Sequence, residues 1–186
     1  MAEEKKQYVG IVVISIAAVI TVFLAGCVTT IITRSAYQPY EQTFERKIII
    51  DAITFSISEN GFDIAMLNET YGIINTSWRK VTSGTDTAIS VLSILGSKGS
   101  YSTYSRELSL TFKIDDTGYT VTPKLRKITN TTSKFSSGSS DYIEYPTQDS
   151  SEGKIMMKIM REINSALGIS DQINWSEKEI TVGEDE

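Results

Sequence analysis

A chain of 186 residues has the length of one domain, and even without an N-terminal segment of some 26 residues it can bury a single core. With 18 basic and 23 acidic residues the net charge is −5, which disfavours generic attraction to nucleic acid or to an anionic membrane. One cysteine excludes an internal disulfide, and the absence of histidine removes the commonest general base and metal ligand.

The chain opens with "MAEEKKQ", carrying Lys5 and Lys6, followed by the uncharged apolar run Tyr8 to Phe23. This is the layout of a secretory signal. The run ends in Leu24-Ala25-Gly26-Cys27, which resembles the lipobox of bacterial lipoproteins. That resemblance implies a signal peptide over 1–26, a diacylglyceryl group on the Cys27 sulfur, cleavage before Cys27 and acylation of the new amine. Two or three acyl chains hold a protein to a bilayer essentially permanently, whereas one does so only marginally. In such lipoproteins of Gram-negative enterics an aspartate after the cysteine resembles an inner-membrane retention signal. Val28 stands there instead, which implies a lipid-anchored protein of the bacterial cell envelope, in the outer membrane and facing the periplasm. A second reading stays open. Glu3 and Glu4 offset the lysines, and the uncharged run continues through "VTTIIT" to Arg34, long enough for an uncleaved single-pass anchor.

Residues 27–42 read as the lipidated cysteine and a tether, since Val28 to Gln42 has no clean period and contains Pro39; Tyr37 and Tyr40 can equally pack on a domain. The domain itself spans 43–168. A helix is predicted in "TFERKIIIDAITFSISENGF", with Phe44, Ile48, Ala52 and Phe55 on its buried face, Ile49 and Ile53 broadening it, and Gly61 ending it. Two strands come next around a turn at 68–71: "FDIAM", and "GIINTSWRKV" with Ile74, Thr76 and Trp78 to one side. The apolar insert 82–105 carries Ala88, Val91, Leu92 and Leu95 at helical spacing on polar flanks. It folds back on the domain's own core, or it docks a protein partner or a second copy.

The clearest strand is "RELSLTFKI", with Leu108, Leu110, Phe112 and Ile114 inward. The turn "DDTG" leads to a second alternating strand with Tyr119, Val121 and Leu125 inward, and Pro123 predicts an edge or a bulge there. The Ser- and Thr-rich passage Thr129 to Ser151 reads as a loop. The strongest helix signal is "SEGKIMMKIMREINSALG", with Ile155, Ile159, Ile163 and Leu167 on one face, Met156 and Met160 beside them, Ser151 as cap and Gly168 as stop. The acidic tail 169–186 holds Ile173, Trp175, Ile180 and Val182, which suit an added strand or a place on the core.

Helix, strand pair, strand pair, helix predicts an α+β domain, an antiparallel sheet of about four strands covered by two helices. From "ISENGFDIAMLNETYGIINTSWRKV" through "LSLTFKIDDTGYTVTPKL" to the closing helix, this order resembles the helix-grip domains of the BamC-like lipoprotein of the outer-membrane β-barrel assembly machine. The resemblance implies a non-enzymatic scaffold or accessory subunit of an envelope assembly, held to the membrane by its lipid and meeting a protein partner or a second copy. The alternative is a periplasmic module that binds a lipid or small apolar ligand between sheet and helix. Phe112, Trp78, Ile159 and Met160 meeting directly argue for the first, and an unfilled apolar cavity for the second.

No catalytic, metal or cofactor site is readable. Asp115 and Asp116 are adjacent on a turn, so their side chains diverge. Lys98 precedes Gly99 without the Gly-Lys-Ser/Thr step of a phosphate loop. The serines have no histidine to activate them.

Overall fold

The computed structural model describes residues 29–81, 100–133 and 137–182. The chain divides into one unit, Ile32–Lys178, and a second made of Met1–Ile31 with Glu179–Glu186. Of the latter, only the strand ends 29–31 and 179–182 are among the described residues.

Ten elements succeed one another among the described residues: β1 (Thr29–Pro39), α1 (Arg46–Glu59), β2 (Ile64–Asn68), β3 (Ile73–Thr76), β4 (Arg79–Lys80), β5 (Ser100–Ile114), β6 (Gly118–Ser133), β7 (Ser137–Glu144), α2 (Ser151–Leu167) and β8 (Asn174–Val182). All eight strands join one antiparallel sheet in the order β2-β3-β5-β6-β1-β8, with β4 also on β5 and β7 also on β6. The expected helix-grip-like α+β fold, about four strands under two helices, is therefore corrected to a mostly-β fold. The reason is physical. Strands that are polar on both faces show no alternation, yet they form wherever a neighbouring edge offers backbone partners.

The β5–β6 hairpin is the spine, paired without interruption from Ser100↔Ser133 to Ile114↔Tyr119. Its turn is held by Asp115, whose Oδ1 accepts from the Thr117 and Gly118 amides at 2.8 and 2.9 Å and from the Thr117 hydroxyl at 2.7 Å. Partial burial disfavours the Asp115 charge, but these donors and Lys113 outweigh it and hold the carboxyl below its usual range. The expected inward residues Leu108, Leu110, Phe112, Ile114, Tyr119, Val121 and Leu125 are all buried. On one flank β6 pairs β1 from Gly118 to Val121 and then β7 from Leu125 onward. Pro123 lies in the gap between these two partners. The Asp115 amide bonds the Gly118 carbonyl, so by alternation Leu110 and Pro123 form a pair without mutual hydrogen bonds. The donor that proline lacks would have pointed into the gap, where no strand waits for it.

Both helices cover one face of this spine. In α2, Met156, Ile159, Met160, Ile163 and Leu167 are buried against it, while Ile155 is only partly so. Full burial of one such side chain is worth about 1.5–3 kcal/mol. The cap is Ser150, one residue before the expected Ser151, accepting from the Gly153 amide at 3.0 Å; Gly168 ends the helix in a left-handed turn at φ 68°. In α1 the expected face is rotated. Ile49, Ile50, Ile53 and Ile57 are buried, whereas Ile48 is 50% and Phe55 65% exposed. Three consecutive isoleucines fit more than one helical phase, and packing against the sheet selects the phase that buries two of them.

Three further readings change. Thr29–Pro39, read as tether, is a strand whose Ala36 and Gln38 are buried. Thr129–Ser133 and Ser137–Glu144, read as loop, are the end of β6 and all of β7. Trp78 does not face the core: Arg79 pairs with inward Leu108, so its neighbour Trp78 takes the other face, where the Arg126 guanidinium stands 4.8 Å from the ring.

Gly153 gives a test of the packing at the start of α2. A Cβ there would stand 2.1 Å from the Thr147 carbonyl oxygen and 2.7 Å from that of Gln148, both backbone atoms. In an open helix Gly→Ala gains about 1 kcal/mol. Here Gly153→Ala is expected to lose about 1–3 kcal/mol by urea denaturation, because the clash is with backbone that cannot rotate aside; a gain would show that the 147–150 turn yields.

Candidate functional site

Beyond Leu108 and Leu125 the helix-covered face of the sheet continues as a three-stranded arm of β5, β6 and β7 that no helix among the described residues covers. Register places Tyr104 opposite Thr129, Arg106 opposite Lys127, and Lys127 opposite Tyr142. All five side chains share the face of Leu108, since each is an even number of residues from it or from its partner. They line a groove of about 490 Å³ together with Ser105 and Ile128.

The groove is amphipathic. Tyr104 is 41% and Tyr142 56% exposed, both phenol rings open to solvent. Its two cations are held in place. Arg106 Nη2 lies 2.7 Å from Glu152 Oε1, in the first turn of α2, and Lys127 Nζ lies 2.7 Å from Glu144 Oε1 and 5.6 Å from the centre of the Tyr142 ring. Burial lowers the Lys127 pKa, but the hydrogen bond and charge of Glu144, with Tyr142 beside it, outweigh that and raise it above the usual lysine value. Arg34 ties the chain after β7 to β1, donating to the Tyr145 carbonyl at 2.6 Å and to Glu177 at 2.7 Å.

Among the described residues the groove does not bring a nucleophile together with a base. Both carboxylates at the groove are committed to cations, and neither hydroxyl of Ser105 or Thr129 has a hydrogen bond to a base among the described residues. The groove thus sets two exposed tyrosine rings beside one guanidinium and one ammonium group. No protein-family model matches the chain, and no curated protein matches it.

The residues predicted as sites lie elsewhere. Leu24, Ala25, Gly26 and Cys27, and the candidate docking residues Ala88, Val91, Leu92 and Leu95, are outside the described residues. The groove residues are not singled out by the sequence. Tyr104 sits in a Ser- and Tyr-rich stretch and Tyr142 in the passage that reads as loop, and only the cross-strand register brings them together.

Proposed function

We propose that the chain is a non-enzymatic, membrane-anchored lipoprotein of the bacterial envelope that acts as an accessory subunit through protein contact. The observation that carries this reading is the filled space between sheet and helices. Phe112, Ile159 and Met160 are each 0% exposed within one continuous core, so that space holds side chains, not a ligand. The contact surface is the Tyr104/Tyr142 groove, where the same sheet face runs on past its helical cover. The candidate docking segment at Ala88, Val91, Leu92 and Leu95 joins β4 to β5, the strand that carries Tyr104. No helix among the described residues is long and apolar enough to cross a membrane; Cys27 and the apolar run before it lie outside the described residues.

Two measurements test the reading. A photo-crosslinking amino acid at Tyr142 is expected to give one discrete adduct in intact cells, lost when Tyr104→Ala is added; the absence of any adduct from a folded chain rejects the groove as a contact. Metabolic labelling with a clickable palmitate is expected to mark the wild type and not Cys27→Ala. Equal labelling of both, or an intact Met1 in the mature protein, rejects the lipid anchor.

A further inference from the structure

The sheet face opposite the helices carries a charge the composition does not announce. Along β5 the residues alternating with the core are Glu107, Ser109, Thr111 and Lys113; along β6 they are Thr120, Thr122, Lys124 and Arg126. Lys80 joins them by pairing with Glu107 across the β4–β5 edge. Over β4, β5 and this part of β6 four cations thus face one carboxylate, with Asp141 of β7 farther along the same face opposite Ile128, in a chain whose net charge is −5. The Glu107 carboxylate is already bonded to Arg126, whose Nε stands 3.0 Å from Glu107 Oε2. Lys80, Lys113 and Lys124 make no ion pair among the described residues, although Lys113 is close enough to Asp115 to favour its charge. Lys113 pairs with Thr120 and Lys124 with Ser109, which sets the two four residues apart along the hairpin, about 14 Å. Between them lie the half-buried Thr111, Thr120 and Thr122, with Ser109 buried and donating to the Thr76 carbonyl at 2.9 Å, and the half-buried rings of Trp78 and Tyr37 flank them.

We infer that this face lies on a bilayer and takes the phosphate groups of anionic phospholipids. The inference rests on the membrane-anchored reading above and deepens it by naming the surface turned to the lipid. Charge complementarity selects the occupant: spaced lysines suit a sheet of separate phosphates, and Trp and Tyr are the side chains that sit best at the headgroup level. The overall negative charge disfavours an extended polyanion such as nucleic acid, which would also feel the rest of the surface.

The experiment uses the full chain in vesicles of phosphatidylcholine, with and without about one third phosphatidylglycerol, and reads amine-reactive labelling by mass spectrometry. Lys80, Lys113 and Lys124 are expected to react about fivefold more slowly in the anionic vesicles, the slowing vanishing near 1 M salt, while Lys154 and Lys158 on α2 react alike in both. Quenching of Trp78 by spin-labelled headgroups is expected in anionic vesicles and lost in the triple variant Lys80→Gln/Lys113→Gln/Lys124→Gln, whose exposed or half-buried positions leave the core untouched. Equal reactivity in both lipids overturns the inference. So does protection seen in native envelope membranes but not in protein-free anionic vesicles, which assigns the face to an acidic protein instead. The palmitate label reports on the anchor separately, so failure of the anchor and failure of the face are distinguishable.

Discussion

Arg106→Met is expected to lower stability by about 3–5 kcal/mol, read as a shift of the urea midpoint at constant slope. Glu152 is 2% exposed and its Oε1 lies 2.7 Å from the Arg106 guanidinium, which is itself 21% exposed. Removing the arginine leaves a buried carboxylate with only the Ser151 hydroxyl, 3.0 Å from its other oxygen, and the helix N-terminus around it. A charge stripped of its partner costs far more than the pair contributes, so the double variant Arg106→Met/Glu152→Met is expected to recover most of the loss. A single variant within about 1 kcal/mol of wild type would mean that water reaches Glu152. The pair also stands where the covered part of the sheet meets the three-stranded arm. The single variant should therefore increase amide exchange along β7 before it affects the β5–β6 turn.

The second large effect is expected at Asn164, which is 1% exposed and ties four segments together. Its Oδ1 accepts from the Tyr119 hydroxyl at 2.7 Å, and its Nδ2 donates to Gln38 Oε1 at 2.9 Å and to Asp171 Oδ1 at 2.7 Å. Gln38, fully buried on β1, accepts from the Gln172 amide at 3.0 Å and donates to the carbonyls of Pro39 and Ser170, each at 3.0 Å. Burial pushes the Tyr119 phenol pKa far up, so the hydroxyl remains a donor throughout the working range. Asn164→Leu keeps much of the volume but removes three hydrogen bonds at once, leaving the Tyr119 hydroxyl only the Met160 carbonyl at 3.1 Å and Gln38 Oε1 only the Gln172 amide, and a loss of about 3 kcal/mol is expected. Tyr119→Phe should cost about 1 kcal/mol, because the ring still fills its space and Asn164 retains its other partners. Equal losses from the two substitutions would contradict this account, in which the amide, not the phenol, is the hub.

The parts of the fold that are legible in the sequence are those in which one face of a strand or helix is buried and the other is wet. Leu108 to Ile114 announces its inward set by alternation, and α2 announces its own by the spacing of Met156, Ile159, Met160 and Ile163. The rest is hidden for identifiable reasons. β7 is exposed along nearly its whole length, so its Ser and Gly residues carry no period, and only the unpaired flank of β6 makes it a strand. β1 is stabilised by β6 and β8, partners far along the chain. Trp78 is misplaced by any alternation carried through residues 77 and 78, which lie between β3 and β4 and let the chain reset its phase. The groove is illegible for the same reason as β7: Tyr104, Lys127 and Tyr142 meet only through register, which no local pattern encodes.

Strand β1 begins at Thr29, and that start has a mechanical consequence for an anchor at Cys27. Two residues span at most about 7 Å. An acylated Cys27 would therefore give the sheet no leash: the first strand would leave the membrane surface already committed to its hydrogen bonds. A protein held in this way would not reach far from its membrane for partners. Whatever such a protein bound would have to come to the bilayer, as to a rivet head rather than to a tethered float.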